Sequence, residues 1–464
     1  MPESANYDVI VIGTSQGGRF LPITFAKAGR KVAVVERGHL GGVCVNAGCT
    51  PTKTMVASAR VAYLAKRGAE YGVRTGPVSV DLQAVRKRKQ GMVEGARNNF
   101  ESGVKPLEGL DLLRGEARFI ASKTLEVSLK DGETRAITAP LIFIDTGARP
   151  KQLTIEGVDN VPLLNSTTIM ELDSLPEHLL IIGGGYIGLE FGQMFRRFGS
   201  QVTIIQHHPR LLMSEDEDVS GEIIKILRED GITFLTGTTP QRVQSLSSGR
   251  IRLTVRTPQG EQQVTGSHLL TAIGRVPNTE ALTPEAAGVH LDKGGYIHVN
   301  EQLETNVPGI YAMGDVKGGP AFTHVSYDDF RILRTNLLEH GSASTRDRIV
   351  PYTIFIDPQF GRVGMSESEA RKQGRNIRVA KLPMNAVIRA LETGETRGFM
   401  KAIVDADTQQ ILGCVILGLE AGEIMAIIQV AMMGKLPYTA LKEGIFTHPT
   451  LAEGLNTLFM TLDP

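Results

Sequence analysis

The order of apolar and polar residues along the chain predicts alternating strands and helices. Residues 7–12 (YDVIVI), apolar throughout from Val9, read as a buried strand, a helical pattern follows through Ala28, and residues 31–36 (KVAVVE) read as the next strand. The same succession returns at 179–182, with a helix through Phe198 and a strand at 201–205 (QVTII). Short apolar runs without alternation, separated by helices, are the mark of a parallel sheet covered on both faces. Toward the C-terminus the pattern changes to strands at 352–356, 400–404 and 411–417 and an amphipathic helix from Glu423. The apolar stretch 424–433 contains Gln429 and is too short to span a bilayer. Residues 214–217 (SEDE) read as a capping box whose acidic run has no further role, and the basic run 86–89 (RKRK) reads as a solvated helix face.

A glycine-rich turn lies between strand and helix in both copies. The first is GTSQGG, with Gly13, Ser15 and Gly18 at the key positions; the second is GGGYIG, with Gly183, Gly185 and Gly188. In this context the first glycine permits a tight turn, the second lets backbone approach a pyrophosphate, and the third lets helix and strand pack closely. The helix N-terminus faces the phosphates. Two such turns imply two dinucleotides. Ser15 replaces the middle glycine of the first copy and is expected to place a side chain near the phosphates. Glu36 lies 23 residues after Gly13, where a carboxylate binds ribose hydroxyls; Gln206 holds the equivalent place 23 residues after Gly183. With no carboxylate to repel a 2′-phosphate, and with His207, His208 and Arg210 to attract one, the second site is expected to take NADPH ahead of NADH.

Composition narrows the chemistry. The 464 residues are 41% hydrophobic and 22% charged, and the 50 basic and 50 acidic side chains cancel. That balance gives no general attraction for nucleic acid. Three cysteines in such a chain do not make a secreted disulfide scaffold, and no basic-then-apolar signal precedes the first strand, so a cytoplasmic protein is expected. Two of the cysteines, Cys44 and Cys49, stand five apart in GHLGGVCVNAGCTPTK. On an ideal helix that spacing separates Cα atoms by roughly 8–9 Å, beyond the ~7 Å reach of a disulfide. The segment must bend if the two bond, and Gly48 and Pro51 suit a distorted turn. A metal site would need further ligands, and Cys414 is remote in a strand-like run; redox chemistry is expected, with no metal.

GGVCVNAGCTPTK resembles the GGTCxNxGCxPxK signature of the pyridine nucleotide-disulfide oxidoreductases, and the resemblance recurs at DTGARP (145–150), GGGYIGLE (183–190), AIGRVPN (272–278), YAMGDV (311–316), PYTIFIDPQFGRVG (351–364) and THPTLAEG (447–454). It implies an α/β fold: two Rossmann-like dinucleotide-binding domains plus a C-terminal α+β dimerisation domain. The implied ranges are 1–150 and 276–343 for FAD, 151–275 for NAD(P)H, and 344–464 for the dimer interface. It implies Cys44 as the interchange thiol that meets substrate and Cys49 as the thiol against the flavin, with Lys53 by the flavin and paired with Glu190. Gly13, Ser15, Gly18, Glu36, Gly42, Ala117, Thr146, Gly147, Gly314, Asp315 and Phe322, Thr323 and His324 would surround FAD. Gly183, Gly185, Tyr186 as a gate, Gly188, Glu190, Gln206, His207, Arg210, Gly274 and Arg275 would surround NAD(P)H. His448 would be the general base for the interchange thiol, oriented by Glu453 and, as in the family, supplied by the partner subunit of a homodimer. Val43 replaces the signature threonine and, with Ser15, bears on FAD affinity.

Within the family, GCTPTK and residues 321–333 resemble the mercuric reductase branch and its relatives, including hypothiocyanous acid reductases. The family's mercuric reductases carry a C-terminal cysteine pair and a tyrosine where this chain has His448. Its dihydrolipoamide dehydrogenases show HAHP where this chain has FTHP, with Phe446 at the first histidine position. The expectation is an NAD(P)H-dependent flavoprotein enzyme that reduces a small sulfur-based oxidant or disulfide. Metal-ion reduction, dihydrolipoamide chemistry and a redox-sensing flavoprotein that stalls after one reduction are the alternatives. One outcome follows directly from Gln206: kcat/KM with NADPH should exceed that with NADH, and comparable values for the two would contradict it.

Overall fold

Uninterrupted apolar runs become interior strands. The computed structural model describes residues 4–104 and 107–463. They gather into two compact units: the segment ending at Thr54 with Arg86–Lys151 and Gly274–Arg348, and Met55–Val85 with Gln152–Ile273 and the segment from Ile349 onward.

In the first unit Val9–Ile12 lies between Val32–Glu36 and Leu141–Ile144, parallel to both, with all four of its residues buried. Ile310–Ala312 extends the parallel sheet on one side and Leu110–Ala121 on the other. Leu110–Ala121 runs on to pair antiparallel with Thr124–Leu129, so that the sheet reaches eight strands among the described residues. β-Branched Val and Ile suit such doubly covered strands. Helix Gln16–Lys27 turns Leu21 and Phe25 inward, where they meet Phe143, Phe330 and Leu333.

In the second unit His178–Ile182 lies between Gln201–Ile205 and His268–Thr271, again parallel. Helix Tyr186–Phe198 buries Leu189, Met194 and Phe195. The C-terminal part is a five-stranded antiparallel sheet in the order Tyr352–Ile354, Gln359–Gly364, Ile411–Gly418, Phe399–Asp405, Ile377–Pro383. Helix Ala421–Met433 packs Ile424, Met425 and Ile428 inward and leaves Val430 and Met433 exposed. Cys414 is wholly buried, and burial pushes its thiol up to about 12, so it is inert core. Among the described residues no helix is long and apolar enough to cross a membrane.

Residues 55–85 gather with the second unit, because helix Cys49–Lys66 packs Met55 and Ala59 into the core that holds Phe195 and Phe360. Two expectations are corrected. The basic run is not simply solvated: Lys89 is buried, and the Arg88 guanidinium donates to the Thr54 carbonyl at 2.7 Å. The capping box at 214–217 does not form; Asp216 precedes helix Glu217–Glu229 without a side-chain cap, and the box stands at Ser366 and Glu369.

The acidic run turns inward because cations meet it there. Glu215 accepts from Arg362 at 3.1 Å and from the Tyr352 hydroxyl. Buried Lys401 reaches Asp216 at 3.0 Å, Asp218 at 3.1 Å and Glu367 at 2.8 Å. Burial pushes the Asp216 carboxyl up, but bonds from Ser368 and Lys401 outweigh it and hold it well below the ordinary carboxylate range. Removing one partner of a buried ionic cluster strands the rest, at about 3–5 kcal/mol. Lys401→Met should therefore lose several degrees of thermal midpoint at neutral pH. Since Asp216 is depressed, the cluster's contribution is present above about pH 4 and is lost only as pH falls through the lowered pKa, so the gap between wild type and variant should narrow only in strong acid. An unchanged midpoint would show that the acids find other partners.

Candidate active site

The first glycine turn is drawn tight by side chains from beneath. The Glu36 carboxylate accepts from the Thr14 amide at 3.0 Å, the Thr14 hydroxyl at 2.6 Å and the Gly38 amide at 2.8 Å. Ser15 departs from expectation. Its hydroxyl turns inward and donates to Oδ2 of Asp145 at 2.5 Å, and the Gly18 amide reaches the same oxygen at 2.7 Å. The Gly17 amide is bonded to Ser326 Oγ at 3.0 Å. Asp145 was not among the expected site residues. The signal was present as a carboxylate directly after the buried strand Leu141–Ile144, where a charge needs a reason.

Gly42 sits on this turn: a Cβ there would come within 2.7 Å of Ser15 Cα, which seats the cysteine segment directly on the dinucleotide turn. Helix Gly42–Ala47 then breaks at Gly48 (φ −129°, ψ −117°), and helix Cys49–Lys66 begins anew. A Cβ on Gly48 would meet the Val43 carbonyl oxygen at 2.9 Å, so the bend demanded by the cysteine spacing requires glycine. The Asn46 amide holds the short helix by donating to Leu40 O at 3.0 Å and Gly42 O at 2.8 Å, while Arg97 donates to Asn46 Oδ1.

The two thiols face each other. The hydrogen bond with Cys49 pushes the Cys44 thiol well up, with burial adding to it, while the Thr323 hydroxyl pulls it back. Thr323 Oγ1 is also 3.3 Å from Cys49 Sγ. One hydroxyl at the start of helix Thr323–Leu338 thus serves both sulfurs. Lys53 follows Cys49 by one helical turn. Flanking Thr323, the rings of Phe322 and His324 stack at 5.3 Å and 10°.

Further expected flavin residues converge in the same unit. Gly314 donates to Asp329 at 2.8 Å, Thr146 and Gly147 carbonyls accept from Asn278, and Ala117 is buried in strand Leu110–Ala121. Arg275 and Gly274, expected at the nicotinamide site, lie in this unit. Strand Arg275–Pro277 pairs with Ala148–Pro150, Arg275 donates to the Ala148 carbonyl, and its Nε stands 3.8 Å from Asp315 Oδ2. Arg275, Ala148 and Asp315, together with Tyr296 and Lys317, line a cavity of about 320 Å³. The group fits a flavin dinucleotide: Thr146 Oγ1 and Asp145 Oδ1 are buried polar atoms with no hydrogen-bond partner, and Glu36, bonded to the Thr14 amide just before helix Gln16–Lys27, would meet the ribose.

The second unit repeats the turn with a neutral base. The Gly184 amide donates to Gln206 Oε1 at 3.3 Å, as Thr14 does to Glu36, and Gln206 Nε2 reaches the Arg210 carbonyl at 3.4 Å. A Cβ on Gly188 would strike Gly183 O at 2.0 Å, whereas one on Gly185 would meet nothing within 4 Å, so the face before the turn is open. Exposed His207 and His208 have ring centroids 3.6 Å apart. Tyr186 opens helix Tyr186–Phe198, partly exposed, and the buried Glu190 accepts from the Phe355 amide at 2.8 Å. His448 Nδ1 lies 3.0 and 2.9 Å from the two Glu453 oxygens. A carboxylate only accepts, so Nδ1 carries the proton and Nε2 is left as the basic nitrogen.

This fold and thiol site define a class, and the sequence matches it. Residues 7–329 match the family described as pyridine nucleotide-disulphide oxidoreductase, and 350–459 match its dimerisation domain. The chain belongs to this family and is an NAD(P)H-dependent flavoprotein disulfide reductase; the family implies FAD and a pyridine nucleotide. It is 38% identical over 457 residues to the probable pyridine nucleotide-disulfide oxidoreductase RclA of Escherichia coli (strain K12), covering 98% of each chain. It is 36% identical to a mercuric reductase of Staphylococcus aureus, over 99% of this chain and 83% of that one. The structure of the HOCl-induced flavoprotein disulfide reductase RclA from Escherichia coli superposes with a TM-score of 0.89 at 38% identity, covering 98% of this chain and 99% of that one.

The Thr323 geometry has a measurable consequence. A hydroxyl donating to a thiolate favours the charged form. Thr323→Val should raise the pH at which the reduced pair forms a thiolate by about one unit, seen in the pH dependence of thiol alkylation. Thr323→Ser should restore it. An unmoved alkylation profile in the valine variant would show that the hydroxyl does not act on the pair.

Proposed function

We propose that this enzyme draws electrons from NADPH, ahead of NADH, and passes them through Cys44 and Cys49 to a small sulfur-based oxidant, with hypothiocyanous acid the favoured acceptor. The observation that carries the reading is the His448–Glu453 pair, which offers a basic Nε2 suited to thiol chemistry. The match to a dimerisation domain supports a homodimer, in which His448 would serve Cys44 of the other subunit. For the nucleotide, neutral Gln206 under the second turn and the adjacent His207, His208 and Arg210 favour a 2′-phosphate.

Bound FAD would supply the two-electron relay between nicotinamide and disulfide, held by the Gly13–Gly18 turn, Glu36, Thr146 and the Asp315 region. The remaining steps belong to the chain. The reduced pair holds two thiols. Nε2 of His448 takes the Cys44 proton, and the thiolate attacks the sulfur of hypothiocyanous acid, forming a Cys44 sulfenyl thiocyanate. Hydroxide leaves and receives that proton from His448 as water. Cys49 then gives its proton to solvent and, as thiolate, attacks the Cys44 sulfur, expels thiocyanate and restores the disulfide. Two electrons reach the oxidant and two cysteines return to the oxidised state. Thr323, beside both sulfurs, would stabilise Cys49 as the attacking thiolate.

The test is NADPH oxidation by the FAD-loaded protein against hypothiocyanous acid, glutathione disulfide, lipoamide and Hg(II), with Cys44→Ser as control. Fast turnover with hypothiocyanous acid that vanishes in Cys44→Ser is expected; preference for Hg(II) or lipoamide would overturn the acceptor. His448→Ala should lower turnover by about 10²–10⁴-fold, the usual worth of a general base, while flavin stays bound and reducible. Near-normal turnover in that variant would remove His448 from the mechanism.

A further inference from the structure

We propose that Asp145 and Ser15 make flavin retention proton-dependent: the first dinucleotide turn holds FAD while Asp145 is neutral and loosens its hold as Asp145 ionises. The proposal rests on FAD occupying the Gly13–Gly18 turn and is independent of the electron acceptor.

Asp145 is a buried carboxyl directly behind the turn. Its Oδ2 is shared by the Ser15 hydroxyl and the Gly18 amide, at 2.5 and 2.7 Å. Its Oδ1 is buried with no partner and lies against Gly314, where a Cβ would come within 2.9 Å of it. The groups that face it from neighbouring elements do not neutralise a charge. Ser326 lies beyond Ser15, with the two hydroxyl oxygens 3.5 Å apart. Asp315 and Asp329 are themselves acids. The nearby cations are engaged elsewhere: Lys317 and Arg348 are 3.3 and 2.8 Å from Asp329, and Arg275 is 3.8 Å from Asp315. Among the described residues no cation pairs with Asp145.

An ionised carboxylate here would be a buried charge with two hydrogen bonds and no counter-ion. Burial is the largest influence and, with Asp315 and Asp329 adding to it against the bonds from Ser15 and Gly18, pushes Asp145 up to about 8. A diphosphate at the N-terminus of Gln16–Lys27 is a further negative charge on the other side of the same turn, so bound FAD must favour the proton on Asp145. By linkage FAD must then bind the ionised protein more weakly, tenfold for each unit by which it raises Asp145. The serine at the motif's second position supports the same account. Its hydroxyl is drawn away from the phosphate face because Asp145 accepts it. Without that partner the side chain would turn toward the phosphates.

The sign for stability follows. Asp145 is raised above its unfolded value, so the neutral form is favoured in the fold. Its burden is absent below the ordinary carboxylate pKa of about 4, grows as pH rises, and is complete above about 8.

The experiment titrates apoprotein with FAD by flavin fluorescence from pH 6.5 to 9.5, for wild type, Asp145→Asn and Ser15→Gly. Wild-type Kd should rise about tenfold or more across this range. Asp145→Asn, neutral throughout, should hold its Kd within about twofold. Ser15→Gly removes a donor from the carboxylate and should move the rise in Kd to higher pH. The apoprotein thermal midpoint gives a readout free of flavin: the advantage of Asp145→Asn over wild type should widen from pH 5 to pH 8. A flat wild-type Kd, or a wild-type slope retained in Asp145→Asn, would overturn the proposal, as would a stability gap that ignores pH. Absence of FAD binding at every pH would overturn the flavin assignment of the turn and this proposal with it.

Discussion

Backbone meeting backbone at the Gly13–Gly18 turn is the constraint on which the first unit depends. A Cβ on Gly13 would fall 2.3 Å from the Asp145 carbonyl oxygen, one on Gly18 2.4 Å from the Gly13 carbonyl oxygen, and one on Gly42 2.7 Å from Ser15 Cα. Three remote segments therefore converge within one methyl group's width. The strand leaving at Ile144, the helix starting at Gln16 and the segment carrying both cysteines are placed by the same contact. Displacing any of them moves the thiols relative to the turn beneath them, and close packing leaves little slack to absorb the change.

The chemistry of the thiol pair is built on that platform by local means. Gly48 breaks the helix between Cys44 and Cys49 and brings them face to face, which neither an intact helix nor an open loop would do. Thr323 arrives from a helix 274 residues later in the chain and offers one hydroxyl to both sulfurs. The result is a pair whose first thiol is held protonated until a base removes the proton. His448, oriented by Glu453 through Nδ1, is the base proposed for that step.

The two glycine turns show how one backbone device is tuned by its side chains. Glu36 and Gln206 each brace the turn before them through the amide of the residue after the first glycine, at 3.0 and 3.3 Å. The brace is the same and the charge is not, and the proposed choice of nucleotide rests on that difference. In the first turn, Ser15 and Asp145 add a second layer, where a hydroxyl that looked like an obstruction is drawn inward by a carboxyl.

What the sequence by itself determined is local or periodic: the parallel strands at Val9–Ile12, Val32–Glu36 and Gln201–Ile205, both glycine turns, the need for a bend between the cysteines, and the adjacency of His448 and Glu453 five residues apart. Those features follow from apolar runs, glycine spacing and short-range geometry, which neighbouring residues carry. The tertiary structure alone decided which way polar side chains turn. Asp145 sits among remote Ser15 and Gly18; Glu215 and Asp216 face inward because Arg362 and Lys401 reach them from the C-terminal sheet; Lys89 is buried within a run that looked solvated; and Arg275 stands beside Asp315. A charge is placed by partners that can lie hundreds of residues away, and the energy of burying it depends on whether those partners arrive. No periodicity in the chain records that.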